Sequence, residues 1–431
     1  MIFGFVLALV LLVILAIFAD KMSVSVWLGM LLLIQCAVMF SDVPADGYSV
    51  ELGKLEAPEK RGTILATGQL IRFSFSVLAG MIQAFLLNGP TTNEPGCEID
   101  FENCWAWGLS INSYYGLCAA LVGILFIPIL WIKEVDPETI PKRSWRHHVH
   151  EIWLTLQNLT TFYLLIYVIG IGCLTNFVSN ANLYMQYYVI QLTNFEAGID
   201  TITSYLALSV AIWLFKTYLI NVNWRYTQIG STVIASVLGL LWILVYYDVS
   251  GLRNPWFTIF IDLDQSFVNG LSQVLYSLSV IELSKPGLEA TTYELIITVG
   301  NAASTVSGII ATQLLTPLHA AGCTDDNCPS NTVAVNQDFD KSNGPIRYTR
   351  YCLILIGVSV VCCIVFTQFL PKNKAQCHEW KLQGEKTGAS SAIGWTSLFL
   401  ACITVGYGFA VAILLLIPST SCLAAVGGSG C

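Results

Sequence analysis

FSDVPADGYSVELGKLEAPEKRG, Phe40 to Gly62, begins where a nearly unbroken apolar run ends, and it sets Asp42 and Asp46 four residues apart in a chain that otherwise avoids charge. Acids at that spacing share one face of a helix. What faces them depends on the class of the chain, and composition fixes the class. Of the 431 residues, 55% are hydrophobic and 11% charged, against about a quarter charged in a soluble globular domain. The chain is therefore all-α and polytopic, an integral multi-pass membrane protein. Its net charge of −8 gives no sign of a nucleic-acid partner. What matters in such a chain is the side on which its basic residues lie.

Eleven apolar runs are long enough to cross about 30 Å of hydrocarbon as helix. They are Ile2 to Phe18, Val26 to Ser49, Thr63 to Leu87, Ile111 to Ile132, Phe162 to Asn180, Ile202 to Ile220, Ile229 to Tyr247, Phe257 to Leu283, Thr292 to Leu315, Tyr351 to Leu370 and Ile393 to Ile417. The longest connection runs only from Pro317 to Arg350, so no soluble domain is appended. With the N-terminus in the cytoplasm, thirteen of the twenty Lys and Arg residues fall inside and five outside, Arg72 and Lys216 lying in or at the edge of spans. That is the expected asymmetry.

Cysteines test the orientation separately. Three external segments each carry a close pair, Cys97 with Cys104, Cys323 with Cys328 and Cys422 with Cys431. An oxidising compartment lets each pair close. The other eight sit mostly in apolar helices as small hydrophobes. The glycosylation sequon Asn158-Leu-Thr160 lies on the cytoplasmic side and should stay unused.

An internal repeat organises the chain. Tyr48-Ser-Val-Glu-Leu-Gly-Lys54 and Ser279-Val-Ile-Glu-Leu-Ser-Lys285 each close a helix and turn through a charged loop, and GMIQAFLL from Gly80 then matches GIIATQLL from Gly308. Two copies in one orientation point to halves related by an axis along the membrane normal, the plan of the major facilitator superfamily. On that plan, spans three to twelve are present and the first two are not; a fragment, a truncated gene product and a reduced protein all accommodate this. A signal peptide over Met1 to Asp20 fits less well, because no basic segment precedes the apolar run. The expected division is a partial N-terminal transmembrane half over 1–132, a cytoplasmic linker over 133–161, a C-terminal half over 162–370, a cytoplasmic segment over 371–392, and an additional helix with an external tail over 393–431.

Four helices carry polar stripes at helical spacing. Gln35, Asp42, Asp46 and Ser49 form the first, and Gln69, Arg72, Ser76, Gly80 and Gln83 the second. Asp262, Ser266, Asn269, Gln273 and Tyr276 form the third, and Glu294, Thr298, Asn301, Thr305, Gly308 and Thr312 the fourth. Hydrocarbon cannot satisfy such groups, so the stripes should face one another across a cavity. At about 1.5 Å per residue, Asp42 lies about 10 Å and Arg72 about 15 Å from the same ends of their helices, within reach of each other. An ion pair is expected there, with Asp46 sharing the arginine or holding a proton, and Pro44 should loosen the helix between the acids.

Plainer readings stand beside these. The acids and Arg72 also suit a structural ion network. Glu51, Glu282 and Lys285 suit loop anchors, Asp262 and Asp264 interfacial caps, and Tyr184, Tyr187 and Tyr188 an aromatic belt. The run Arg146-His-His-Val-His150 reads as a solvated basic loop rather than a metal site. No phosphate-binding loop, metalloprotease motif or nucleophile elbow is present, so neither an enzyme nor a cofactor is indicated.

The segment SDVPADGYSVELGKLEAPEKRG with the GQLIRFSFSVLAG that follows resembles the fourth and fifth helices of the folate-biopterin transporter family, in which a D-x-x-x-D-x-x-x-x-E pattern precedes an arginine-bearing helix. The stretch from Asn254 to Leu315 is similar to the protist branch of that family. The resemblance implies proton-coupled symport of folates or unconjugated pterins. It casts Asp42 and Asp46 as the acids, Arg72 as the anion partner, and Asn269, Gln273, Tyr276 and Asn301 as the far wall. Two other classes stay open: a major-facilitator carrier of another organic solute, and a truncated membrane protein that transports nothing. The plasma membrane is the expected residence, and oligomeric state is not legible.

Overall fold

The computed structural model describes residues 1–57, 62–87, 107–131, 144–175, 182, 185–283, 289–315, 339–340, 343–417 and 419–420. Among these every regular element is helical. Within hydrocarbon only a helix satisfies all its own backbone groups along one segment. In chain order α1 is Ile2–Phe18, α2 Val24–Leu55, α3 Thr63–Leu86, α4 Ile111–Ile129, α5 Trp145–Leu156, α6 Leu159–Thr175 and α7 Asn194–Leu214. Then come α8 Trp224–Gly239, α9 Trp242–Tyr246, α10 Pro255–Leu283, α11 Glu289–Leu315, α12 Gly344–Phe366, α13 Lys374–Thr387 and α14 Ser391–Leu416.

Nine of the described helical stretches are long and apolar enough to cross a membrane. Of the remaining two apolar runs, one is α6, described over 17 residues, and the other is α10. That helix is 29 residues long, yet Asp262, Asp264 and a series of amides make it too polar for a lipid-facing span. It lies inside the bundle, packed on α7, α8 and α11, with buried residues from Thr258 to Leu283.

Three helices start earlier than the apolar runs suggest. Helix α7 begins at Asn194, not Ile202, because Thr193 and Glu196 form a reciprocal capping box. Helix α8 begins at Trp224, not Ile229, because the Asn223 side chain accepts from the Arg225 N–H. Helix α12 begins at Gly344 rather than Tyr351, with Pro345 in its first turn. The basic run 146–150 is not a loop. It lies in α5, capped by Ser144, where His147 pairs with Glu151 at 3.3 Å, and the axis of α5 turns 71° from that of α6. No group of metal-binding side chains occurs among the described residues.

Small residues let the helices approach closely, the main source of association where no hydrophobic difference drives it. A Cβ on Gly198 of α7 would sit 2.5 Å from the Ala84 Cβ of α3, and one on Gly270 of α10 would sit 2.8 Å from the Leu208 carbonyl of α7. Gly172 of α6 meets Ala303 and Gly300 of α11 in the same way, and Gly4 of α1 meets Ala37 and Ser41 of α2.

Hydrogen bonds at the helix ends sort the connections into two sets. At one end Leu109 donates to the Leu86 carbonyl and Asn194 to the Leu87 carbonyl. Asn112 and Asp20 bond each other at a corresponding junction of α1 and α4. At the other end Trp224 donates to the Lys372 carbonyl and Ser390 to that of Gln157, and Gly62 abuts Leu278. Glu51 and Glu282, which close α2 and α10, belong with this second set. The connections thus alternate between the two ends along the chain. Cys97, Cys104, Cys323, Cys328, Cys422 and Cys431 lie outside the described residues, as do Tyr184, Lys285 and the side chains of Tyr187, Tyr188 and Thr312. The other eight cysteines are free thiols.

Candidate functional site

Two polar zones follow one another along α10. The zone nearer the end that carries Gly62 and Leu278 contains the acids of the opening stretch. Helix α2 runs unbroken through Pro44, so Asp42 and Asp46 stay one turn apart on one face. The guanidinium of Arg72 on α3 is in hydrogen-bond contact with Asp42 and lies 3.6 Å from Asp46. The ion pair inferred from the spacing is present, and Asp46 shares the arginine. The side chains of Arg72 and Asp42 are 38% and 35% exposed, that of Asp46 only 15%. Charges so exposed would not persist against hydrocarbon, so water or a polar partner must reach them.

One turn from Arg72, Gln69 is 5% exposed. It donates to the hydroxyl of Tyr293 on α11 at 3.5 Å and accepts from Gln273 of α10 at 3.4 Å. Glu294, beside Tyr293, has a buried carboxyl oxygen with no hydrogen-bond partner among the described residues. Tyr276 packs against the central apolar core. Three helices are thus tied by one amide at the level of the ion pair.

The second zone is a cavity of about 280 Å³ nearer the opposite end. Its wall comes from α7, α8, α10 and α12, with Gln83 of α3 and the segment holding Asn182 and Gln186. Asp262 and Asn269 line it, joined by Asp200, Asp264, Gln265 and Gln228. Asp262 is not a surface cap: it accepts from Gln186 at 2.6 Å. Gln265 donates to Asn269 at 3.2 Å. The carbonyl of Asn182 accepts from the buried Tyr246 hydroxyl at 2.9 Å. Gln228, 1% exposed, has its amide oxygen and one N–H engaged, accepting from Tyr167 and Ser272 and donating to Thr232.

The expected residues therefore divide. Asp42, Asp46 and Arg72 form the ion cluster, Gln273 and Tyr276 lie at its level, and Asp262 and Asn269 line the cavity. Asn301 joins neither set; it is exposed, as are Thr298 and Thr305 of the same stripe. Asp200, Gln228, Asn182 and Gln186 were not among the expected residues. For the first two a signal existed, since the caps at Thr193 and Asn223 place both inside helices. No protein-family model, curated protein or solved structure matches the chain.

Proposed function

We propose that this multi-pass membrane protein is a secondary active carrier of a small organic solute, on the major-facilitator plan of two parallel repeats. The observation that carries the reading is the stacking of a polar cavity above an ion network inside one helical bundle. A cavity of about 280 Å³ falls just below the range for ligand pockets, about 300–1,000 Å³, and its wall is rich in hydrogen-bonding groups. Below it, Gln69, Gln273, Tyr293 and the Asp42–Arg72 pair join α2, α3, α10 and α11. Such a tie can hold one end shut while the other admits solute, and its release would reverse access.

In this reading Asp42 and Asp46 exchange Arg72 for a proton during the cycle, and the chain is a symporter rather than an enzyme. The resemblance of the α2–α3 and α10–α11 segments implies unconjugated pterins or folates as the cargo class, a choice that the charge of the cavity wall narrows, and the plasma membrane is the residence. A pterin presents an amide N–H beside an exocyclic amine, a pair that a carboxylate accepts side by side.

The test is uptake of biopterin and folic acid into proteoliposomes with and without an inward proton gradient. Asp42→Asn should abolish gradient-driven accumulation while the protein remains folded in the membrane. A folded Asp42→Asn protein that accumulates solute as the unmodified chain does would remove the pair from the coupling mechanism, and absence of any solute-dependent flux in the unmodified chain would remove the carrier reading.

A further inference from the structure

We propose that the cavity between α7, α8, α10 and α12 receives a compact organic cation, an amidinium, guanidinium or ammonium group on a small frame, and excludes dicarboxylates such as folate. This rests on the carrier reading only in taking the cavity as a solute site.

The charge of the wall carries the argument. Asp200, Asp262 and Asp264 line the cavity, and among its described lining residues there is no Lys, Arg or His. The described residues 182 and 185–193, which supply Asn182, Gln186 and Leu192 to the same wall, include no basic residue either. Arg72, within the bundle, is committed to Asp42 and Asp46 in the other zone, and Lys216 is hydrogen-bonded to Thr67. A dianion would enter a site that already holds three carboxyls and meet no counter-charge.

The second argument is unused hydrogen-bonding capacity. Gln228 is held by three neighbours, but Asp200 is not. One of its carboxyl oxygens is buried without a hydrogen-bond partner among the described residues. Asp262 receives two N–H groups, from Gln186 and from the indole of Trp242, and keeps further acceptor positions. Carboxyls left open on a low-dielectric wall are costly, and a bound cation with several N–H groups removes the cost at both ends. A planar amidinium offers parallel donors matched to a carboxylate.

The experiment uses the full chain in nanodiscs, with intrinsic tryptophan fluorescence and the thermal unfolding midpoint as readouts and benzamidine, biopterin and folic acid as probes. Benzamidine should bind at least about tenfold more tightly than folic acid and raise the midpoint. Asp200→Asn and Asp262→Asn should each weaken benzamidine binding by about tenfold or more, the loss expected for one charge-assisted contact. Folic acid binding as tightly as benzamidine, or benzamidine failing to bind, overturns the proposal on the unmodified chain alone, whatever the folding of the variants. Unchanged benzamidine affinity in both folded variants overturns it as well. Benzamidine binding without solute accumulation in proteoliposomes would defeat the carrier reading and leave this one standing; gradient-driven biopterin accumulation without benzamidine binding would do the reverse.

Discussion

Removing Arg72 should harm the fold more than removing either acid beside it, and the size of the difference follows from exposure. In Arg72→Ala two carboxylates lose their counter-charge. The Asp42 side chain is 35% exposed, so its share is screened and stays near the value of a surface pair, up to about 1 kcal/mol. Asp46 is 15% exposed. Stranding one partner of a fully buried pair costs about 3–5 kcal/mol, and partial access lowers this to about 2 kcal/mol here. The sum is about 3 kcal/mol. Asp46→Asn leaves Arg72 with Asp42 and should cost under about 1 kcal/mol, and adding it to Arg72→Ala should restore about 2 kcal/mol by deleting the stranded charge. The assay is the folded fraction in mixed micelles against increasing denaturing detergent, arranged as a double-mutant cycle. If Arg72→Ala is no less stable than Asp46→Asn, or if the double variant is as unstable as Arg72→Ala, the charge balance argued for this cluster is wrong.

Three further outcomes are expected. Gly198→Val should lower stability by about 1–3 kcal/mol or more through overpacking, since even a Cβ would stand 2.5 Å from Ala84; the same substitution at Gly230, where a Cβ meets nothing within 4 Å, should be mild in the same detergent titration. Gln228→Leu should cost about 1–3 kcal/mol for each hydroxyl it orphans, Tyr167 and Ser272 being those that donate to it, and Tyr167→Phe in the Leu background should recover part of the loss. Cys97 with Cys104, Cys323 with Cys328 and Cys422 with Cys431 should resist an impermeant thiol reagent until reductant is added, and labelling of all six without reductant would count against the assigned orientation.

The spans and their alternation were legible because lipid imposes one requirement on every residue in a run, and the Asp42–Arg72 contact because helical rise alone fixes depth. The cavity was harder to read. Starting each span at its first apolar residue left Asp200 and Gln228 in loops, although Thr193 with Glu196 and Asn223 were visible as start signals. Helix rotation was not legible at all. Gly300 and Ala303 press against Gly172 of α6, and that contact, made across more than a hundred residues of chain, turns Asn301 about 100° away to the exposed side. Spacing shows which residues share a stripe; the neighbouring helix decides where the stripe points.

The joint between α5 and α14 bears on the order of assembly. Ser390 donates to the Gln157 carbonyl, Trp395 stacks edge-on to Trp153 at 5.0 Å, and Gly394 leaves room for Gln157. The α5 partners of α14 are thus synthesised more than two hundred residues before it, as the separation of Trp153 from Trp395 shows, and wait for it. Until it docks, the flank of α6 and α11 is open, and contacts of such long sequence separation form slowly. A nascent chain halted before Ser391 would expose that flank to whatever else occupies the bilayer, so docking of α14 is the event that covers it.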